Sequence, residues 1–305
     1  GNSAVTSFAA NKDITHLAVA PYQPSFFDSQ KIDVYGTEGI EIETLPLLNS
    51  FVGGDLFAGL FLLWNQGKMN STPWILIDVG TNSEIIFWDA ERLFISSTPA
   101  GPAFEGSNIS IGMRADPGSI IHPKYDRQKE QWNFDVIHND APLGICGSAL
   151  IEWMAEALGA GIINDDGEVI KPNGLMLTKD LGLTQDDIRE FQLAKSAIRT
   201  GLDLVASESP NKPKLLYLAG AFGSHLNLES TFKLGLIPSM EAYTLGNSSL
   251  QGTIEWGRAG EEKKTEFIQW INSVKHPIEL ALRADFQDAF IANMRLTHGE
   301  IATSR

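Results

Sequence analysis

Short apolar runs alternate with amphipathic stretches along this chain, and glycine-bearing turns separate them. Residues 75–77 form an apolar run of the kind found in buried central strands. Extended, β-branched and aromatic patterns at 84–88 and 92–96 predict two further strands, and 118–138 is a longer extended region. Residues 214–219 predict another buried strand. Because predicted strands and helices are interleaved, the pattern predicts an α/β fold.

Three stretches have the composition or periodicity of helices. Residues 56–64 are apolar throughout and predict a buried helix with Asp55 as its N-cap. Residues 148–160 predict an amphipathic helix that opens near a glycine turn. Residues 185–207 place apolar side chains on one face, and a capping hydroxyl with acids in the first turn marks the start of that helix.

Composition then narrows the class of protein. A chain of 305 residues is long enough for two domains, and 43% hydrophobic with 20% charged residues is typical of a soluble globular protein. A net charge of −15, with no cluster of Lys and Arg, argues against nucleic acid and anionic membranes as partners. The most apolar stretch, 56–64, is too short to span a bilayer. The single cysteine, Cys146, excludes an internal disulfide and cannot hold an iron–sulfur cluster, so a reducing cytoplasm fits best.

The most informative chemistry lies in the turn that follows the first predicted strand. Asp78 stands where that strand ends, Gly80 and Thr81 form the turn, and Asn82 leads into the next strand. A carboxylate at a strand's carboxyl end, beside a glycine that lets backbone N–H groups face outward, suits a metal-bound phosphate. A strand follows the turn, whereas a helix follows a P-loop or a Rossmann turn. Taken alone, these residues also fit an ordinary hairpin with an aspartate in its turn.

Three more glycine-bearing turns lie beside an apolar strand or open a helix, at Gly101–Gly106, Gly144–Ser148 and Gly220–Gly223. At such places backbone N–H groups can receive phosphates. Any one of them alone is more often only a tight turn. Four in one chain, one of them with a strand-end aspartate, predict a nucleotide cleft.

Lys195 lies in an unusual place on the predicted helix 185–207. On the helical wheel it falls inside the apolar stripe, with Gln192 at the edge. An ammonium there must snorkel or find a partner, because burying it alone is costly. Either the stem covers the core with its head in water, or this edge lines a cleft where Lys195 meets a phosphate, a ribose or a carboxylate.

Other kinds of catalytic site find little support. The six histidines show no metal-ligand spacing, and Ser148 lacks the G-x-S-x-G context of a nucleophilic serine. Cys146 has an apolar setting with no histidine nearby in sequence, which favours a small buried residue over a nucleophile.

A series of motifs occurs in the order known from one family. The motifs are Asp78–Glu84, Ala100–Gly106, Gly112–Ala115, Gly144–Ser148, Gln192–Lys195, Leu218–Gly223, Gly235–Pro238, Leu245–Asn247 and Ile278–Ala281. Together they resemble the actin-like ATPase (ASKHA) domain of the reductive activators of corrinoid proteins. The resemblance covers essentially the whole chain.

The resemblance implies an α/β fold of the actin-like ATPase (ribonuclease H-like) type, with two lobes around a nucleotide cleft. It implies that residues 1–73 are the remainder of an incomplete N-terminal lobe, and that 74–305 are the second lobe with its phosphate hairpin and adenosine-side turn. It implies ATP and Mg²⁺ as cofactors, with Asp78 acting on the metal. The residues implied at the nucleotide are Gly80, Thr81, Asn82, Gly101, Glu105, Gly106, Gly147, Ser148, Gln192, Lys195, Gly220, Ala221 and Gly223.

The implied function is reductive activation. Such proteins use ATP to drive reduction of Co(II) corrinoid to Co(I) in a partner corrinoid protein or corrinoid methyltransferase. The electron passes through a [2Fe–2S] cluster in a separate ferredoxin-like domain. Neither that domain nor an earlier D-x-G-T hairpin occurs in this sequence, so we expect a fragment or a truncated relative. A homodimer is one of the assemblies that we expect it can form. Ser83 stands where many relatives have glycine.

The sequence is also compatible with two other functions. The chain could be a non-catalytic interaction domain that keeps an actin-like scaffold after losing its first phosphate loop. It could also be a small-molecule kinase of the same superfamily, which would need a general-base carboxylate and an acceptor pocket that the sequence does not nominate.

Overall fold

The computed structural model describes residues 3–20, 22–32 and 42–296. Its α-helices are α1 Ser3–Ala9, α2 Gly54–Asn65, α3 Gly147–Gly159, α4 Gln185–Ser207, α5 Gly220–Ser224, α6 Leu228–Lys233, α7 Ser248–Arg258, α8 Glu261–Val274 and α9 Phe286–Ala292. Its strands are β1 Lys31–Ile32, β2 Ile42–Glu43, β3 Trp74–Asp78, β4 Asn82–Trp88, β5 Leu93–Pro99, β6 Ser119–Asp126, β7 Gln131–Val136, β8 Gly144–Ile145, β9 Leu215–Ala219, β10 Glu241–Gly246 and β11 Lys275–Pro277. Short 3₁₀ helices cover Thr15–Leu17, Ala103–Glu105, Ile137–Asn139, Pro172–Leu175 and Leu280–Leu282.

A six-stranded sheet in the order β10-β9-β3-β4-β5-β11 forms the centre of the molecule. Strands β3, β4 and β5 are an antiparallel meander. Strand β9 lies parallel to β3, β10 lies parallel to β9, and β11 lies parallel to β5. β3 thus has a strand on each side, and Ile75, Leu76 and Ile77 are fully buried. The predicted buried central strand and the α/β class are confirmed.

Two cores cover the two faces of this sheet, and β3 contributes to both. Ile75 and Ile77 belong to a large core with α3 and α4, whereas Trp74 and Leu76 belong to a smaller core with α2, α7 and α8. The side chains alternate in this way because successive residues of a strand point to opposite faces. The smaller core is rich in aromatic rings that pack edge to face, among them Phe61 and Phe267 at 5.0 Å.

A second, three-stranded sheet in the order β7-β6-β8 is inserted between β5 and α4. Its antiparallel hairpin β6–β7 occupies the region that the sequence predicts as extended, 118–138. Helix α3 packs against β6, and its Trp153 stacks on Trp132 of β7 with the rings 5.4 Å apart. This sheet and α3 share the large core with α4 and one face of the central sheet.

The helix predictions hold with one correction. Helix α4 covers the predicted residues 185–207, and α3 begins one residue before the predicted start. The prediction that Asp55 is the N-cap of α2 was wrong, because the helix already begins at Gly54 and the extended Gly53 is its N-cap. Asp55 lies instead in the first turn, where its carboxylate accepts a hydrogen bond from the Leu56 N–H. Leu45 packs so closely on Gly54 that an added Cβ would lie 2.9 Å from the Leu45 Cβ.

The division into a first and a second lobe at residue 73 stays a prediction. Helix α2 lies before that boundary, yet it packs against α7 and shares its core with β3, which both lie after it. Within the described part of the chain, none of the helices has the length and apolar character needed to cross a bilayer.

Candidate functional site

Two of the predicted turns meet where β3 ends and β4 begins. The Gly101 N–H donates a hydrogen bond to the Thr81 carbonyl at 2.9 Å. The Thr81 hydroxyl donates to the Glu105 carboxylate, also at 2.9 Å. Since β4 and β5 are antiparallel neighbours, the start of β4 and the end of β5 must lie side by side. The Asp78 hairpin and the Gly101–Gly106 loop therefore form one surface.

The glycine turn after β9 lies against the other side of Asp78. Strands β3 and β9 run parallel with Asp78 opposite Ala219, so their carboxyl ends coincide. Gly220 then turns the chain into α5 with a left-handed φ of +77°. A Cβ at Gly220 would lie 2.4 Å from the Asp78 Oδ1. Only glycine allows both the backbone angle and this close approach.

The fourth predicted turn, Gly144–Ser148, packs against the Gly101–Gly106 loop, and its place at a nucleotide stays a prediction. A Cβ at Gly147 would lie 2.0 Å from the Phe104 carbonyl oxygen, so Gly147 lets the start of α3 press onto the loop. Gly106 is left-handed with φ +88°, and a Cβ there would lie 2.6 Å from the Met113 nitrogen and 2.9 Å from the Gly112 carbonyl carbon. The Ser148 hydroxyl lies 3.4 Å from the thiol of Cys146, which caps α3 and is buried. These glycines shape the loop through packing.

An aromatic contact joins the loop to the glycine turn. The ring of Phe222, from α5, stacks on Phe104 at 5.5 Å, and Phe104 meets Phe191 of α4 edge to face at 5.7 Å. Gly223 is buried against Leu218, whereas Ala221 is exposed. The structure thus places the Gly220–Gly223 turn and the Gly101–Gly106 loop at the same end of the sheet, as the sequence predicts.

Two acidic side chains at this end of the sheet hold protons more tightly than usual. Burial, with Asp55 nearby, raises the pKa of Asp78 to about 6. Burial, followed by the charges of Asp55 and Asp78, raises the pKa of Glu84 to about 9. Glu84 stands directly opposite Asp78 in the antiparallel pair β3–β4. At neutral pH Glu84 is therefore a neutral acid, and Asp78 is largely ionised.

Sequence reasoning missed Glu84 and Asp55 as members of this group. The hairpin pattern alone does not give this pairing, because five residues, 79–83, lie between Asp78 and Glu84 although β4 already begins at Asn82. Asp55 was interpreted only as a cap. Its approach to β3 depends on how α2 packs, which the local sequence does not show.

Lys195 and Gln192 lie on the side of α4 that faces the chain after α9. The Lys195 ammonium is buried and donates to the carbonyls of Asn293 at 2.7 Å and Arg295 at 2.6 Å. The Gln192 amide donates to the carbonyls of Asp166 and Met294. The interpretation with the Lys195 head in water is therefore wrong. The role of both residues at a nucleotide stays a prediction.

Two opposing influences act on the protonation of Lys195. Burial, followed by the charge of Arg199, lowers the pKa of Lys195 to about 7. The two carbonyls lie just beyond the C-terminal end of α9, where a cation is stabilised. The ammonium thus serves to join α4 to residues 293–295.

The residues present fit a magnesium–phosphate group at the Asp78 turn. Within residues 3–20, 22–32 and 42–296, no three His, Cys, Asp or Glu side chains are arranged to hold a metal ion by themselves. Magnesium seldom needs such a cage, since it binds through one or two carboxylates, water and the phosphates of its ligand. Asp78 is a strand-end carboxylate with the Gly220 backbone packed against it, and it offers a ligand of the right hardness.

The sheet order, the Asp78 hairpin and the Gly220 turn place this chain in the class of actin-like α/β folds. Within that class the chain belongs to one family, described as the C-terminal domain of RACo, the ASKHA domain, whose model matches residues 72–304.

Known relatives agree with this family. The corrinoid activation enzyme RamQ of Eubacterium limosum is 29% identical over 332 residues, covering 96% of this chain and 54% of RamQ. The [Co(II) methylated amine-specific corrinoid protein] reductase of Methanosarcina barkeri is 30% identical over 236 residues, which cover 69% of this chain and 43% of that reductase. The solved structure of a reductive activator for corrinoid, iron-sulfur protein superposes with a TM-score of 0.81 at 26% identity, over 98% of this chain and 52% of that one. This chain spans about half the length of these relatives.

Proposed function

We propose that this chain is the ATPase-like module of a reductive activator, which couples ATP to the reduction of Co(II) corrinoid to Co(I) in a partner corrinoid protein or corrinoid methyltransferase. One electron is transferred to each cobalt. The observation that carries the proposal is the meeting of the Asp78 hairpin, the Gly101–Gly106 loop and the Gly220 turn at one end of the sheet. Membership of the RACo C-terminal family supports it.

The residues have distinct roles in this proposal. Asp78 orients Mg²⁺ on the nucleotide phosphates, directly or through water, and forms no covalent bond. Bound Mg²⁺ would supply charge neutralisation on the phosphates. Thr81 is held by Glu105 and fixes the turn, so that the backbone N–H groups of the hairpin keep their direction. Glu84, protonated at neutral pH, adds no second negative charge beside the phosphates.

The electron must come from elsewhere. Cys146 is the only cysteine of the chain and lies buried at the start of α3, so this chain holds no [2Fe–2S] cluster of its own. We propose that a cluster outside this chain delivers the electron, in a reducing cytoplasm. The module then contributes nucleotide-dependent contact with the corrinoid partner.

Electron paramagnetic resonance of a Co(II) corrinoid protein tests this function. With Ti(III) citrate as the reductant and a [2Fe–2S] ferredoxin as the electron carrier, adding this chain and Mg-ATP should speed the loss of the Co(II) signal, and Asp78→Asn should abolish the gain. Glu262→Gln, an exposed acid on α8, is the matched control and should behave like the unmodified chain. The same loss of signal with and without the chain and Mg-ATP would refute the proposal.

A further inference from the structure

A cavity of about 320 Å³ lies beside the start of β4; its wall includes Asn82, which the resemblance places at the nucleotide, but neither Asp78 nor Gly220. We call it the ring cavity. The residues of its wall that matter here are Tyr22, Phe51, Phe286, Leu280, Asn82 and Glu279. Its volume is near the lower end for ligand pockets, so it suits a small molecule.

Three of the nine described wall residues of the ring cavity carry aromatic rings. The rings of Tyr22 and Phe51 lie 5.6 Å apart and are tilted by 56°, so they enclose an angle and do not stack face to face. Phe286, at the start of α9, adds a third ring from a distant part of the chain. A ring whose face borders the cavity attracts a cation there.

An acidic side chain supplies the opposite charge. Among the wall residues that the structure describes, Glu279 is the one with an ionisable acid. Its carboxylate accepts a hydrogen bond from the Ser50 hydroxyl at 3.2 Å, which fixes its orientation. Burial raises the pKa of Glu279, while hydrogen bonds from Ser50 and Asn49 oppose that rise. A bound cation would stabilise the ionised form further.

A cation that lies close to Glu279 in the sequence is engaged elsewhere. Arg283 follows Glu279 by four residues, but its guanidinium pairs with Glu208 and Asp285. Arg283 therefore does not neutralise the charge of Glu279, and the overall charge of −15 also favours cations.

The mostly apolar wall decides which kind of cation fits. A primary ammonium carries three N–H donors that each need an acceptor, and most of this wall is apolar, although Asn82, Ser97 and Tyr22 offer oxygen atoms besides Glu279. Methyl groups remove those donors and pack against rings and aliphatic side chains. We propose that the ring cavity binds a small methylated ammonium ion, through cation–π contacts with its three rings and through the Glu279 carboxylate.

Calorimetric titration with two matched probes tests this proposal on the unmodified chain. Choline and 3,3-dimethylbutan-1-ol have nearly the same shape, but only choline is charged. Choline should bind at least about tenfold more tightly than the neutral alcohol. Equal affinity for the two probes, or no binding of choline at millimolar concentration, would overturn the proposal.

Variants then locate the site. Glu279→Gln and Phe51→Leu should each weaken choline binding by about tenfold, whereas Glu262→Gln should not. Melting curves confirm folding, and Phe286→Leu replaces Phe51→Leu if the latter unfolds. Unchanged choline affinity in folded Glu279→Gln or in the folded ring variant would contradict the assignment. The chain should not co-sediment with phosphatidylcholine vesicles. Co-sedimentation with the vesicles without binding of free choline would also contradict the assignment.

Discussion

The side chains with the most altered chemistry lie opposite each other on neighbouring strands. Asp78 and Glu84 share one end of the hairpin, and the burial of each is the main cause of its raised pKa. The sequence could predict Asp78, because its position between a strand and a glycine turn is a local signal. It could not predict the pKa of Glu84, which depends on burial beneath distant parts of the chain.

Glu84→Gln should change how stability depends on pH. The folded chain keeps a proton on Glu84 up to about pH 9, whereas an unfolded glutamate loses it near 4.5, so stability falls as the pH rises between these values. Glutamine removes that loss. We expect the variant to gain at least about 1 kcal/mol in free energy of unfolding at pH 8 and little at pH 4.

Urea denaturation of both proteins across this range measures the difference. Glu262→Gln, at an exposed position, is the control and should follow the unmodified chain. If the curves for Glu84→Gln and the unmodified chain stay parallel, Glu84 does not hold a proton in the fold.

A pair of glycine substitutions separates backbone strain from contact with Asp78. Gly220 and Gly101 have nearly the same left-handed φ, +77° and +75°, but a Cβ at Gly101 would meet nothing within 4 Å. Gly101→Ala should therefore cost only the backbone term, about 1 kcal/mol. Gly220→Ala should cost at least about twice as much, because the Cβ also displaces the Asp78 carboxylate. Equal losses in chemical denaturation would show that the Asp78 contact is unimportant.

At the scale of single elements, α4 shows what a sequence can and cannot supply. Its bounds were predictable because the capping box of Thr184 and Asp187 and the apolar stripe are both local. The partners of its polar residues were not. Lys195 and Gln192 bind carbonyls about a hundred residues later in the chain, and those partners leave no trace in the periodicity of the helix.

Lys195→Met should loosen the chain after α9. The substitution leaves the carbonyls of Asn293 and Arg295 without their donor, which costs about 1 to 3 kcal/mol locally. Hydrogen exchange of the Leu296 amide, which donates to the Asp165 carbonyl, should become at least about tenfold faster. Lys171→Met, at an exposed lysine, should leave this rate unchanged.

The same measurement addresses the predicted nucleotide role of Lys195. If Mg-ATP draws the ammonium away from the two carbonyls, it should speed exchange at Leu296 in the unmodified chain and have no such effect in Lys195→Met. Unchanged exchange on addition of Mg-ATP at saturating concentration would leave Lys195 with its structural contact alone.

At the scale of the whole molecule, the order of motifs predicted more than any single pattern. The α/β class follows from interleaved strands and helices, and the actin-like fold follows from the series of motifs. The meeting of three turns at one sheet end also follows, because the carboxyl ends of parallel strands coincide. The packing of α2 across the predicted boundary at residue 73 was not predictable, since it depends on aromatic contacts with α7 and α8.

The central claim is that the Asp78 end of the sheet binds a magnesium nucleotide, and titration of Mg-ATP at two pH values tests it most directly. Because the pKa of Asp78 is about 6, its carboxylate is ionised at neutral pH and largely protonated one unit below 6. Glu84 keeps its proton throughout this range. The account predicts that Mg-ATP binds at neutral pH only with magnesium present, and that binding weakens about tenfold one pH unit below the pKa of Asp78. It also predicts a similar weakening at neutral pH in Asp78→Asn. Binding that is equally strong without magnesium, or unchanged in Asp78→Asn, would contradict it.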